Sequence, residues 1–147
     1  MTCAIYHLDL NVSDLERSGS FYDRILTRIG FVRVNLSTPG EPGGFDWISP
    51  GDKSAAFSIG MYQAAGPNKL HDRHAPGIHH LALRAGRRED VDELYTMLLQ
   101  MRAEILNVPC EYPQHEPGYY AVFFLDPDGI KLEYVFTPAS HQSASAL

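Results

Sequence analysis

The stretch YHLDLNVSDLERSGSFYDRIL, residues 6–26, decides the fold, because HHLALRAGRREDVDELYTMLL at 79–99 repeats its layout. Each stretch begins with His-Leu-x-Leu, continues through a short polar turn and ends in an amphipathic helical pattern. In this alignment His7 corresponds to His80, and the two leucines after each histidine correspond as well. An internal repeat of this kind predicts one structural unit that is present twice.

Both predicted helices carry start signals. Ser13 followed by Glu16 has the spacing of a capping box, and Gly30 predicts the end of the first helix. The second helix opens in the acidic run REDVDEL at 88–94, which suits the positive end of a helix dipole. Each helix has an apolar stripe, which predicts one face against a core.

Strand-like runs separated by Gly- and Pro-rich turns follow each helix, at 31–37, 45–49 and 54–62, and again at 104–110, 119–125 and 130–136. Each half is therefore predicted to be β-α-β-β-β, and the fold class to be α+β. We expect a single domain, 1–147, with module 1 at about 4–62, a linker at 63–77, module 2 at about 78–137 and a tail at 138–147. Since one helix covers one sheet face, the mixed sheets should form a half-barrel or cleft with the helices outside.

Charge and composition exclude several classes of partner. The 147 residues have a net charge of −6, which argues against nucleic acid and anionic membrane surfaces as partners. No apolar run is long enough for a membrane helix, and the first residues do not have the layout of a signal peptide. Cys3 and Cys110, which we expect to be buried, lack disulfide or metal spacing. A cytoplasmic location is predicted.

Alternation along the first strand separates a core face from a polar face. Leu8 and Leu10 share the face under the helix, whereas His7, Asp9 and Asn11 share the opposite face. Unpaired buried polar groups cost about 1–3 kcal/mol each, so a row of three predicts a pocket rather than a core.

The same alternation applies to the second half. His79 shares parity with Leu81 and should lie toward the helix, whereas His80 should face the cleft, as His7 does. On the last strand Leu132 belongs to the apolar face, which leaves Glu133 opposite. Two imidazoles and a carboxylate would then face the same cleft.

His7, His80 and Glu133 are predicted to be the ligands of one divalent metal ion. Neutral imidazole and carboxylate suit Fe, Mn, Ni, Co or Zn. The alternative is that each histidine is a hydrogen-bonded polar residue in a strand and that Glu133 pairs with Lys131 or an arginine. The repeat symmetry of the three residues favours the metal.

The stretches HLDLNVSDLERSGSFYDRIL, IHHLALRA and YYAVFFLDPDGIKLEYV resemble the vicinal oxygen chelate superfamily. That superfamily includes glyoxalase I, extradiol dioxygenases, fosfomycin-resistance enzymes and bleomycin-resistance proteins. The resemblance, from about residue 4 to 137, implies paired βαβββ modules around a metal whose ligands fall on His7, His80 and Glu133. It also implies an enzyme that binds a small substrate through adjacent oxygens, and a homodimer, with the modules paired within one chain or between two.

Departures from the superfamily pattern narrow the range of activities that we expect. The stretch SAAFSIGMY, 54–62, offers no fourth metal ligand, which counts against a standard glyoxalase I. The expected function is therefore a glyoxalase-like, divalent-metal-dependent enzyme with Lewis-acid lyase, isomerase or transferase chemistry. The alternatives are an Fe(II) extradiol-type dioxygenase and a bleomycin-resistance-like protein that sequesters a small molecule, although such proteins lack the metal ligands.

Two further residues are candidate catalytic groups. Asp9, on the face of His7, could act as general base or orient a ligand histidine. Tyr119 and Tyr120 straddle the two faces of their strand, so one of them should face the cleft and donate a hydrogen bond to an oxyanion. We assign that role to Tyr120.

Overall fold

A computed structural model describes residues 5–34, 44–50, 56–66 and 69–138. The chain divides into two compact units, Met1–Lys69 and Leu70–Leu147. Cys3, the first residue of predicted module 1 and the predicted tail from residue 139 onward lie outside the described residues. Neither helix in the described ranges is long and apolar enough to cross a membrane.

The first unit contains one helix and a four-stranded sheet. Its elements are β1 (His7–Val12), α1 (Leu15–Arg28), β2 (Val32–Val34), β3 (Phe45–Ile48) and β4 (Ser58–Gln63). The strand order is β1-β4-β3-β2, with β1 parallel to β4 and the other pairs antiparallel. This is the predicted β-α-β-β-β order.

Helix α1 begins one residue later than the capping box predicts. Asp14, not Ser13, is the N-cap, and its carboxylate accepts a hydrogen bond from the Arg17 backbone N–H at 3.0 Å. An N-cap carboxylate satisfies one of the free N–H groups of the first turn and favours the helix dipole. Gly30 follows the helix at φ +95°, a left-handed conformation that favours glycine.

The core of the first unit lies between α1 and one face of the sheet. Trp47, fully buried, donates a hydrogen bond from its indole N–H to Asp23 of α1 at 3.0 Å. The other buried hydrophobic residues of this core are Leu10, Val12, Tyr22, Ile25, Leu26, Phe31, Ile59 and Met61. The register pairs Asp9 with Gly60 and Gly60 with Asp46, so these three share the sheet face away from α1.

The second unit repeats the same order. Its elements are β5 (Leu81–Arg84), α2 (Arg88–Gln100), β6 (Ile105–Glu111), β7 (Tyr120–Leu125) and β8 (Lys131–Phe136). The strand order is β5-β8-β7-β6, with β5 parallel to β8. The α+β prediction of two βαβββ modules is therefore confirmed.

Strands β7 and β8 lie at the centre of the second sheet and are buried along most of their length. The core of this unit lies on the sheet face toward α2. The helix contributes Val91, Leu94 and Leu98, and the buried strand residues on this face are Leu83, Val122, Phe124, Leu132 and Tyr134. On the other face the register places Phe123 opposite Glu133. Cys110 is exposed on β6, so its predicted burial is wrong: β6 is the edge strand of this sheet.

Candidate metal and substrate site

His80 and Glu133 are brought together within the second unit. Glu133 lies in the middle of β8, opposite Ala82 of β5, and His80 directly precedes β5. The His80 Nε2 atom lies 3.2 Å from Glu133 Oε2. The Glu133 side chain is only 2% exposed, whereas that of His80 is 33% exposed. A buried carboxylate thus has an imidazole between it and solvent.

Tyr119 contacts the other oxygen of the same carboxylate. Its hydroxyl donates a hydrogen bond to Glu133 Oε1 at 2.5 Å. Burial of the phenol, reinforced by this hydrogen bond and by the charge of Glu133, raises the pKa of Tyr119 well above its usual range. The hydroxyl therefore stays protonated at neutral pH and keeps donating, which fixes the orientation of the carboxylate.

Tyr120, the predicted catalytic tyrosine, does not reach Glu133. Its hydroxyl donates to Asp92 Oδ1 on α2 at 2.7 Å, and the Arg88 guanidinium lies 3.7 Å from its ring centroid. The assignment to Tyr120 is corrected, because alternation along β7 places Tyr120 on the helix face and Tyr119 on the face of Glu133. Phe123 pairs with Glu133 across the sheet, and position 119 has the same parity as position 123, so Tyr119 lies on the face of Glu133.

His79 also differs from its predicted position. It is exposed rather than packed toward the helix, because β5 begins only at Leu81 and strand alternation does not extend back to it. Its Nδ1 atom lies 2.7 Å from Nδ1 of His80, with the ring centroids 4.9 Å apart. The two histidines form a directly hydrogen-bonded pair, which strand alternation does not predict.

Aromatic rings and one lysine surround Glu133 on its face of the sheet. The Phe123 centroid lies 6.4 Å from that of His80 and 5.3 Å from that of Tyr112. The Lys131 ammonium lies 4.2 Å from the Phe123 centroid, within the range of a cation–π contact. Burial, followed by the charge of Arg73, lowers the pKa of Lys131. This side of the sheet combines apolar walls with a partly desolvated cation.

In the first unit His7 lies beside Asp9. Its Nε2 atom is 3.7 Å from Asp9 Oδ2, and both side chains are about half exposed, at 54% and 45%. Gly60 separates Asp9 from Asp46, and a Cβ atom at Gly60 would collide with the Asp9 carboxylate. Burial, and then the charge of Asp9, raise the pKa of Asp46. Glycine at position 60 thus leaves room for two carboxylates beside each other.

A small apolar cavity lies near the start of this polar face. Its volume is about 290 Å³, and it is lined by Tyr6, Ile48, Ala56, Phe57 and Ser58. Ser58 is the register partner of His7. The cavity therefore opens at the end of β1 that carries the histidine.

The structure brings together two of the three predicted metal ligands, His80 and Glu133. The buried Glu133 carboxylate and the His80 imidazole form a carboxylate–nitrogen pair whose chemistry fits a divalent metal. His7 belongs to the first unit. Within the described ranges no group of three or more His, Cys, Asp or Glu side chains is arranged to hold a metal ion. The three-residue ligand set stays a prediction.

Comparisons with known proteins show the family to which the chain belongs. The model of the glyoxalase/bleomycin resistance protein/dioxygenase superfamily matches residues 4–134. The uncharacterized protein YqjT of Bacillus subtilis is 30% identical over 138 residues, which cover 89% of this chain and 97% of that protein.

Two solved structures have the same fold. The crystal structure of a candidate glyoxalase from Bacillus halodurans is similar with a TM-score of 0.67 and 28% identity, over 90% of this chain and 95% of that one. A glyoxylase/bleomycin resistance protein/dioxygenase domain from Frankia sp. EAN1pec has a TM-score of 0.74 and 22% identity, over 94% and 100%. At 22% identity the second likeness concerns the fold alone.

Proposed function

Because the chain belongs to the glyoxalase/bleomycin resistance protein/dioxygenase superfamily, we propose that it is a divalent-metal-dependent enzyme. Its substrate is a small molecule with adjacent oxygens, and its chemistry is that of a lyase, isomerase or transferase. The observation that carries the proposal is the buried Glu133 carboxylate, which is oriented by Tyr119 and faces the imidazole of His80.

The surroundings of Glu133 favour a metal over an ion pair with a lysine or an arginine. Burying a carboxylate without a compensating charge is costly. Among the described residues no lysine or arginine nitrogen lies within 4.0 Å of Glu133, so pairing with Lys131 or an arginine does not supply that charge. A divalent ion held by Glu133 and His80 would supply it.

The residues of the proposed site have different roles. His80 and Glu133 are metal ligands, His7 is the third, and Tyr119 holds the carboxylate in position. A bound divalent ion would supply Lewis-acid stabilisation of negative charge on the substrate oxygens. Asp9, beside His7, either accepts a substrate proton or orients that histidine.

The walls of the site suit a substrate that is partly apolar and partly anionic. Phe123 and Tyr112 offer ring surfaces on the face of Glu133, and the Lys131 ammonium, 4.2 Å from the Phe123 centroid, would attract an oxygen of the substrate. We place the substrate on this face, in a homodimer in which the modules pair within or between chains.

An Fe(II) dioxygenase is the second candidate, because two histidines and one carboxylate are also the ligands of many non-haem iron oxygenases. The absence of a fourth ligand on β4 supports it. Gln63, the amide at the end of that strand, accepts a hydrogen bond from the Leu15 N–H and donates one to the Ser13 carbonyl. Both polar atoms of the Gln63 amide are therefore engaged in hydrogen bonds at the start of α1.

Metal analysis of protein purified without chelators tests the proposal. One metal ion per chain that is lost in His80→Ala supports it, with His74→Ala as a matched control. Oxygen uptake on catechols by the iron-loaded protein would favour the dioxygenase, whereas turnover of a diketone or of a thiol with an electrophile would favour the first candidate. Metal-free protein whose His80→Ala variant still binds small molecules would instead support a sequestering protein and contradict both enzymes.

A further inference from the structure

The segment 71–78 folds back on itself and is attached to the connection between β7 and β8. The His71 backbone N–H donates a hydrogen bond to the Asp128 carbonyl oxygen at 2.8 Å. The His71 ring donates from Nε2 to the Ile78 carbonyl oxygen at 2.8 Å, which closes the segment. Because β8 begins three residues after Asp128, the segment lies at that end of the second sheet.

Arg73 is the second residue of a β-turn within this segment. The Ala75 N–H donates to the Asp72 carbonyl oxygen at 3.1 Å, and the His74 N–H donates to the Asp72 carboxylate at 2.9 Å. These two hydrogen bonds fix the backbone on both sides of Arg73. The Arg73 residue itself is half-buried, whereas the three residues after it are exposed.

Lys131, the first residue of β8, lies on the same sheet face as Glu133. The two residues are two positions apart, roughly 7 Å along the strand. The Lys131 ammonium lies 4.2 Å from the ring centroid of Phe123, and Phe123 is the register partner of Glu133. The ammonium therefore leans from the end of the strand toward the candidate site.

The charges of Arg73 and Lys131 repel each other. Burial is the main cause that lowers the pKa of Lys131, the charge of Arg73 is the second, and the charge of Glu133 opposes both. On the opposite face of the sheet Arg88 pairs with Glu111 at 2.8 Å. Within the described ranges no carboxylate oxygen lies within 4.0 Å of a side-chain nitrogen of Arg73 or Lys131. An anion that bound between these two cations would relieve their repulsion.

We propose that Arg73 and Lys131 bind an oxoanion, a carboxylate or a phosphate group, which the substrate carries in addition to its two adjacent oxygens. This inference rests on the proposed function, which places the adjacent oxygens at Glu133 and His80. The guanidinium is a planar fork that matches two oxygens of such a group, and the ammonium adds a point charge. Phe123, which contacts Lys131 and lies opposite Glu133, packs against the carbon chain between the two ends of the substrate.

Titration with inorganic phosphate and, separately, with acetate tests the anion site in metal-free protein. The amide NMR signals of residues 71–78 report binding at an ionic strength held constant with chloride. Arg73→Gln and Lys131→Gln should each weaken binding about 10-fold, since each removes one charge-assisted contact. Arg88→Gln is the control, because it removes the same charge from the opposite face and should bind as wild type does.

The two anions identify the group that the substrate carries. Phosphate binding without acetate binding assigns a phosphate, and acetate binding assigns a carboxylate. Wild type that binds neither anion more tightly than chloride would overturn the proposal. Equal affinity in wild type, Arg73→Gln and Lys131→Gln would also overturn it.

Hydroxamates test whether the anion site and the metal site serve one substrate. Acetohydroxamate offers two adjacent oxygens to zinc, and an analogue carries in addition the selected anion, a carboxylate or a phosphonate, on a two-carbon chain. Calorimetry of zinc-loaded wild type should show the analogue binding about 10-fold more tightly. Arg73→Gln and Lys131→Gln should lose this advantage, and Arg88→Gln should keep it. Equal affinity of the two hydroxamates for wild type would overturn the proposal.

Zinc affinity separates this inference from the proposed function. Arg73→Gln and Lys131→Gln should bind zinc at least as tightly as wild type, because each removes a positive charge near the metal site. Zinc binding that is kept, without binding of either anion, would overturn the anion site alone. Wild type that binds zinc no better than His80→Ala would overturn the proposed function, whereas the anion titration of metal-free protein would still decide the roles of Arg73 and Lys131.

Discussion

The Tyr119 hydroxyl donates a hydrogen bond to Glu133 Oε1 at 2.5 Å, while Tyr120, its neighbour in the chain, donates to Asp92 on the opposite face of the sheet. Replacing each tyrosine by phenylalanine therefore removes one hydroxyl from one face at a time. The pair of variants separates a role at the candidate site from a role in helix packing.

Tyr119→Phe should lower the free energy of unfolding by about 1–3 kcal/mol, because it leaves an oxygen of a buried carboxylate without a donor. It should also weaken zinc binding, since Glu133 loses the contact that orients it. Tyr120→Phe should leave zinc affinity unchanged. Denaturant unfolding and zinc titration of both variants measure these effects, and equal zinc loss in the two would argue against Tyr119 as the positioning residue.

Asp46→Asn should raise Tm at neutral pH. The pKa of Asp46 is raised in the folded protein by burial and by the charge of Asp9, so ionisation of Asp46 favours the unfolded chain. Below about pH 4 the carboxyl is protonated in both states and the variant should match wild type. As the pH rises through the unfolded and then the folded pKa, the stability advantage of Asp46→Asn should grow and level off. Thermal melts from pH 3 to 8 would show this, and a Tm difference independent of pH would contradict it.

Asp126→Ala should destabilise the β7–β8 connection by about 2–4 kcal/mol, because two backbone N–H groups lose their acceptor. The buried Asp126 carboxylate accepts hydrogen bonds from the N–H groups of Asp128 and Ile130, at 2.9 and 2.7 Å. Asp72→Ala is the control, because Asp72 accepts one backbone N–H in an exposed turn. Chemical denaturation compares them, and equal losses would show that burial of the Asp126 turn is not what matters.

Sequence patterns predict the fold well where local rules decide the structure. The repeat around His7 and His80 predicts both βαβββ modules, and alternation within β8 correctly separates Glu133 from Leu132 and the helix. These predictions depend only on side-chain direction within an element and on turn residues.

The errors fall where the answer depends on neighbouring elements. Composition does not fix strand ends, so alternation predicts that His79 faces the helix, whereas β5 begins only at Leu81. The register of β7 against β8 decides between Tyr119 and Tyr120, and a single strand does not encode its register with another. The sequence also does not decide between Ser13 and Asp14 as the N-cap of α1, since both side chains can cap a helix.

Glu133 is buried beside His80, and we propose that these two residues hold a divalent metal. Zinc titration of wild type, Glu133→Gln and Glu111→Gln tests it most directly, because Glu111 is an exposed glutamate of the same sheet that pairs with Arg88 at 2.8 Å. We predict one zinc ion per wild-type chain, unchanged binding in Glu111→Gln and loss of binding in Glu133→Gln. Glu133→Gln that stays folded and binds zinc as tightly as wild type would contradict the claim.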